Sequence, residues 1–206
     1  LSPQEHAEWL TQEFGKWFRN TREVYDREKQ LNAANDSLSK LSPGELDRPE
    51  NRRRLAEQAS AETANAKKLE MLTRNGRELV KQAAKNREFD ADRLESWSGK
   101  MQTLDQIANQ QMPSVSDKLR QSSRAQGGAS TGDSEPPSPG AASDNSVANE
   151  DPTDGNGEQN SSPSRAKLDE ALEEQEKLLA DFAKVAGELQ EILSSLEAST
   201  FVKRLK

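Results

Sequence analysis

The sequence predicts an all-α fold: an elongated antiparallel coiled-coil-like bundle of three long helices plus one shorter, with a disordered acidic insertion before the last helix. Three observations predict it. Large apolar residues recur in alternating steps of four and three along both flanking segments, the spacing of one helical face. No run alternates like a strand. Between Ala125 and Ser164 the one large apolar residue is Val147, so that stretch cannot bury enough surface to offset its ordering entropy. Leu, Ile, Val and Phe together fall below about 20%, a composition that fits disorder but equally a narrow apolar stripe on long helices.

The first helix opens at Ser2-Pro3-Gln4-Glu5. Serine caps, proline suits the first helical position, and glutamate three residues on completes a capping box. Leu10, Trp17, Val24, Leu31 and Leu38 then fall every seven residues, with Phe14, Thr21, Glu28 and Asn35 between them. The helix is expected over residues 3–40, with Gly15 its one weak position. Leu41-Ser42-Pro43-Gly44-Glu45 and Asp47-Arg48-Pro49-Glu50 are further start signals and mark a turn. The chain can reverse there, which makes the first two helices antiparallel neighbours.

A second helix is expected over 49–87, with core positions Leu55, Ala59, Glu62, Ala66, Leu69, Thr73, Gly76, Val80 and Ala83, and with Leu72 and Leu79 broadening the stripe. Phe89-Asp90-Ala91-Asp92 suggests another cap. A third helix follows with Leu94, Trp97, Met101, Leu104, Ile107 and Ala108, and is expected to end before Pro113, because proline disfavours helix in the residue before it. Val115 and Leu119 suit one more short turn.

Residues 121–161 read as a disordered Ser/Gly/Pro/Asp linker holding six of the eleven glycines. The last helix starts at Ser162-Pro163. Its stripe reads Leu168, Leu172, Gln175, Leu179, Phe182, Ala186, Leu189, Leu193, Leu196 and Thr200, widened by Leu178, Val185 and Ile192. A widened stripe calls for two neighbours rather than one. The domain plan is therefore a helical hairpin plus a shorter helix over 1–120, the linker over 121–161, and a heptad helix over 162–206 that packs on the first part. Its direction, and whether the stripes pack within or between chains, stay open.

Charge follows the same division. The stretch from Ala125 to Ser164 holds Asp133, Glu135, Asp144, Glu150, Asp151, Asp154 and Glu158 and no Lys or Arg, which equals the formal net charge of −7. The remainder balances at 29 acids against 29 bases. Interspersed charge describes solvated helix faces and argues against a nucleic-acid partner, which calls for a basic excess. No stretch approaches the 18 or so apolar residues of a membrane span. The absence of cysteine excludes a disulfide and a zinc–cysteine site.

Candidate chemistry is sparse. His6 is the sole histidine and reads as a surface residue near a capped helix start. Asp90 with Asp92, Asp169 with Glu170, and Glu173 with Glu174 are acid pairs, but close neighbours in sequence do not face one another on a helix. Arg52-Arg53-Arg54 reads as a solvated face. Ser134, Ser138-Pro139 and Ser162-Pro163 read as spacer rather than modification sites. Glu28 at a core position is costly unless partnered. Its cheapest settings are a wet seam or a Lys or Arg from a neighbouring helix.

Trp9, Phe14, Trp17 and Phe18 concentrate four of the nine aromatics within ten residues. Phe14 and Trp17 lie on the stripe and read as core. Trp9 and Phe18 lie off it and form the candidate partner patch. No catalytic, cofactor-binding or metal-binding residue is assigned, and no small-molecule substrate is expected.

One segment adds a resemblance. Trp97-Ser98-Gly99-Lys100-Met101-Gln102-Thr103-Leu104, then Ile107-Ala108 and Met112-Pro113-Ser114-Val115, resembles a stretch in very large membrane-anchored bacterial proteins of unknown function, of planctomycete and verrucomicrobial type. It covers about 25 residues of the chain. The resemblance implies membrane helices elsewhere in a longer parent, a soluble coiled-coil segment here, a cell-envelope location, and no catalytic residues. Leu1 at the start fits such a piece of a longer protein.

The expected function is a non-enzymatic structural or assembly segment of a larger, envelope-associated bacterial protein, with a protein partner or self-association. The first alternative is a regulatory module whose groove, lined by Thr21, Glu28 and Asn35, accepts a partner helix. The second is a non-catalytic part of a larger enzyme.

Overall fold

The structure, a computed structural model, describes residues 2–125 and 162–204. Helix α1 spans Pro3–Ser39. Both halves of the capping box form: the Glu5 amide donates to Ser2 Oγ at 3.2 Å and the Ser2 amide donates to Glu5 Oε2 at 2.7 Å. A single turn, α2 (Pro43–Leu46), repeats the motif with Ser42 and Glu45 and seats Leu46 in the core. Helix α3 spans Pro49–Ala84. Its buried residues follow the expected stripe, with Asn65 added and Val80 half-buried.

The third rod departs from expectation at Pro113. Asp90 caps α4 (Ala91–Gln106), its Oδ1 accepting from the Arg93 amide at 2.8 Å. The rod does not stop there. A π-helical turn, Ile107–Gln111, leads straight into α5 (Met112–Arg124). Proline lacks an amide hydrogen, and its ring collides with the carbonyl four residues back in a regular helix. The wider turn relieves this: the Met112 amide donates to Ile107 O, five residues back. Residues 121–124 are therefore helical rather than linker. Residues 126–161, the remainder of the expected insertion, lie outside the described residues.

Helix α6 spans Pro163–Arg204. It packs against α1 on one side and α5 and α4 on the other, while α3 packs against α1 and against α5 and α4. Every adjacent pair runs antiparallel. Trp17 meets Leu72 and Asn86 meets Pro3 across α1 and α3. Ser122 meets Ser164 while Lys100 pairs with Glu188 across the third rod and α6. Asn35 meets Gln175 while Gly15 lies beside Leu193 across α1 and α6. The direction of α6, open at the level of sequence, is thus opposite to α1, and the fold is an up-down-up-down bundle. Among the described residues there is no strand.

The stripe of α6 lies half a step from the expected one. Ala171, Leu178 and Val185 are buried, and Leu172, Leu179 and Ala186 are half-buried. Positions Leu168, Gln175, Phe182, Leu189, Leu193 and Leu196 are buried as expected. Apolar pairs such as Leu178-Leu179 and Ile192-Leu193 fit either phase, and the presence of two neighbours chooses between them.

One end of the bundle is tied by polar contacts. Ser164 Oγ donates to Asp47 Oδ1 at 2.7 Å, and Ser122 Oγ donates to Ser164 O at 2.7 Å. Arg52 donates to Ala125 O at 2.6 Å and Arg165 to Leu41 O at 2.7 Å. The α2 turn, the end of α5 and the start of α6 are held together there.

Candidate functional site

Two features stand out: an aromatic groove on the surface and a layer of polar side chains in the core.

The groove lies between α1 and α3, with a volume of about 500 Å³. Trp9, Trp17, Leu72 and Leu79 supply its apolar lining, and Lys16 and Glu78 its charged rim. Trp9 is 42% exposed and stacks on His6, ring centroids 5.8 Å apart. His6 also lies 3.3 Å from Asn86 Nδ2 through its Nδ1. Met71, 58% exposed, is the other large exposed apolar residue among the described ones.

Phe18 does not share this surface. It is 3% exposed and belongs to the core. The stripe of α1 broadens at its aromatic end, where Phe14, Gly15, Trp17 and Phe18 are all buried, because the helix faces two neighbours there. The paired patch is therefore corrected: Trp9 stands at the surface and Phe18 does not.

The polar layer starts from Glu28 on α1 and Glu62 on α3, both wholly buried. Gln175 on α6 lies between them. Its Nε2 donates to Glu28 Oε1 at 2.6 Å and to Glu62 Oε2 at 3.3 Å. Its Oε1 accepts from Asn35 Nδ2 at 3.0 Å and from Asn32 Nδ2 at 3.4 Å. Those two donors fix which end of the amide faces the carboxyls. Asn65 Nδ2 donates to Glu28 Oε2 at 3.0 Å and to Val24 O at 3.2 Å. Glu62 Oε1 and Asn35 Oδ1 have no hydrogen-bond partner.

Electrostatics follow from this geometry. Burial pushes the Glu28 carboxyl above the usual range, and the amides of Gln175 and Asn65 oppose that rise. Glu62 has only the longer contact from Gln175. Burial, with the Glu28 charge beside it, pushes Glu62 up to about 10. Of the two expected settings for Glu28, a wet seam or a Lys or Arg partner, neither forms: the side chain is wholly buried and amides take the place of the cation.

Other sequence candidates fall on the surface. Arg53 pairs with Glu57 at 3.0 Å on an exposed face. Arg52, by contrast, is drawn into the polar tie with Asp47, at 3.6 Å. Glu173 pairs with Lys177 at 2.7 Å and Asp169 with Arg165 at 3.3 Å. Among the described residues no group of three or more His, Cys, Asp or Glu is placed to hold a metal ion. Among them, too, no helix is long and apolar enough to cross a membrane.

Glu62 escapes single-sequence reading as a site residue. The spacing puts it on the core face, but only the register between α1 and α3 sets it beside Glu28. Comparison of the chain with protein-family models, curated proteins and solved structures finds no match.

Proposed function

We propose that the chain is a structural segment, a rod-shaped four-helix bundle that acts as a spacer or assembly element of a larger, envelope-associated bacterial protein and performs no catalysis of its own. The observation that carries this reading is the core. Aromatic and leucine side chains fill it from Leu10 and Leu196 at one end to Leu46 and Leu168 at the other. A rod with the length of α1, roughly 55 Å at 1.5 Å per residue, results from that packing. Its register is set by one polar layer, a known use of buried polar groups in helical assemblies. The envelope location rests on the resemblance of the segment around residues 97–115 to large membrane-anchored bacterial proteins.

The test is replacement. An unrelated antiparallel four-helix bundle of equal length, put in place of this segment in the full-length protein, is expected to preserve the parent's location and the cells' envelope integrity. Loss of either, with the replacement folded and expressed, overturns the spacer role.

A second reading has one observation in its favour, the exposure of Trp9 beside an apolar groove. A groove lined by Thr21, Glu28 and Asn35 is not the place for a partner helix, since the chain's own α3 and α6 bury all three. Under this reading Trp9→Ala weakens capture of a protein partner at least tenfold with the melting temperature unchanged. Equal capture by the variant removes it.

A further inference from the structure

The layer of Glu28, Glu62 and Gln175 contains two acids and no cation. Gln175 and Asn65 donate hydrogen bonds but carry no charge to balance a second carboxylate. The cation that acts electrostatically on Glu28 is Arg27, on the outer face of α1, where its Nη1 donates to Gln30. From α5, Ser116 spends its hydroxyl on Thr63 and on Ala59 O, and Arg120 donates to Thr63 Oγ1 at 2.8 Å while pairing with Asp117 at 3.2 Å. Lys118 of α5 pairs with Glu174 instead. Neither glutamate makes an ion pair among the described residues. Two adjacent carboxylates in such a setting cannot both ionise.

We propose that Glu28 and Glu62 form a proton-binding site, holding one proton between them, and that this proton latches α6 onto α1 and α3 through Gln175. The geometry gives Gln175 that role. Its carbonyl is engaged by Asn35 and Asn32, so its amide group must face both acids. With one proton present, the amide serves one carboxylate and one neutral acid. Once that proton leaves, two negative charges face the Gln175 amide with the Asn65 amide as the one further side-chain donor, and relief requires water to enter the seam between α6 and its neighbours. The site thus couples proton loss to loosening of α6. No other core layer contains two acids among the described residues.

The direction of the pH effect follows. The folded state holds the proton more tightly than the unfolded chain. The stabilisation is therefore complete below the ordinary glutamate range and is lost as pH rises toward about 10. The informative window is roughly pH 7.5 to 9, above ordinary carboxylates and histidine and below lysine.

The test uses the whole chain. In that window the unfolding equilibrium constant should rise with pH by up to tenfold per unit, and Glu62→Gln should flatten the profile. Infrared spectra of the folded protein at pH 7.5 should contain the carbonyl stretch of a protonated carboxylic acid, and that band should be missing from Glu62→Gln. If Glu62→Gln does not fold, the wild-type band still decides the matter. Absence of the band, or a wild-type profile parallel to that of the variant, overturns the proposal. So does stabilisation by millimolar calcium that a chelator reverses, which would make the pair a cation site instead.

Discussion

Gly76 carries no side chain because two others occupy the space one would take. A methyl group there would lie 2.3 Å from Met101 Sδ and 2.9 Å from two ring atoms of Trp17. The Trp17 indole needs that slot, because its Nε1 donates to Leu72 O at 2.7 Å one turn earlier on α3. Glycine costs a helix interior roughly 0.5–1 kcal/mol relative to alanine, but forcing a methyl into a filled core costs about 1–3 kcal/mol. Gly76→Ala is therefore expected to lose about 1 kcal/mol or more net in urea unfolding. A gain in stability would show that Trp17 does not occupy the slot. At this scale the sequence shows that Glu28, Glu62 and Gly76 lie on core faces, because each obeys its own helix's period. It does not show which residues meet, since that depends on the level of one helix against another. Phe18 is misread for a related reason: a strict heptad counts one seam, and α1 has two.

Helix boundaries are the most legible elements, because caps and turn residues act over three or four positions. Ser2, Ser42 and Asp90 accept from amides three residues on, at the expected starts. The capping carboxylates respond to pH in the opposite sense to the buried pair. Hydrogen bonds from the Ser2 backbone and hydroxyl hold Glu5 below the usual carboxylate range, and those from the Ser42 hydroxyl and backbone do the same for Glu45. Their contribution is present above the ordinary glutamate value and disappears as pH falls through the lowered one. Ser2→Ala removes one capping acceptor and is expected to cost about 1 kcal/mol. Hydrogen exchange should speed up at the Glu5 and His6 amides and remain unchanged beyond the second turn. An unchanged rate at Glu5 would mean the cap does not hold the helix start. Pro113 is the element-scale failure of sequence reading. Proline is a local stop signal, yet the apolar series Met101, Leu104, Ala108, Met112, Val115, Leu119 runs through it without losing its face. Packing on α3 and α6 sustains the helix, and the π turn absorbs the extra residue.

At the scale of the whole molecule the bundle is closed by α6, which buries the apolar faces of α1 and of the third rod together. Two short connections at 40–48 and 85–90 leave the first three rods little choice of direction. The long connection before α6 leaves both directions open. Sequence periodicity therefore specifies four amphipathic rods but not how the last one docks. The polar layer resolves the ambiguity physically: Gln175 reaches Glu28, Glu62 and Asn35 only when it sits at their level. A parallel α6 would leave those acids facing leucines, at the cost of buried polar groups without partners. The most direct test is a pair of spin-label distances in a chain that has no native cysteine. Cysteines are introduced in pairs at the exposed positions Lys16 with Gln190 and Lys16 with Glu173. Gly15 lies beside Leu193, and Asn35 is level with Gln175. The two α6 positions lie about 25 Å apart along the axis at 1.5 Å per helical residue, and with the lateral helix spacing added in quadrature the first distance should be shorter than the second by roughly 15–20 Å. Both should be unchanged on dilution with unlabelled protein. Reversal of that order, or loss of the short distance on dilution, would contradict a bundle closed within one chain by an antiparallel α6.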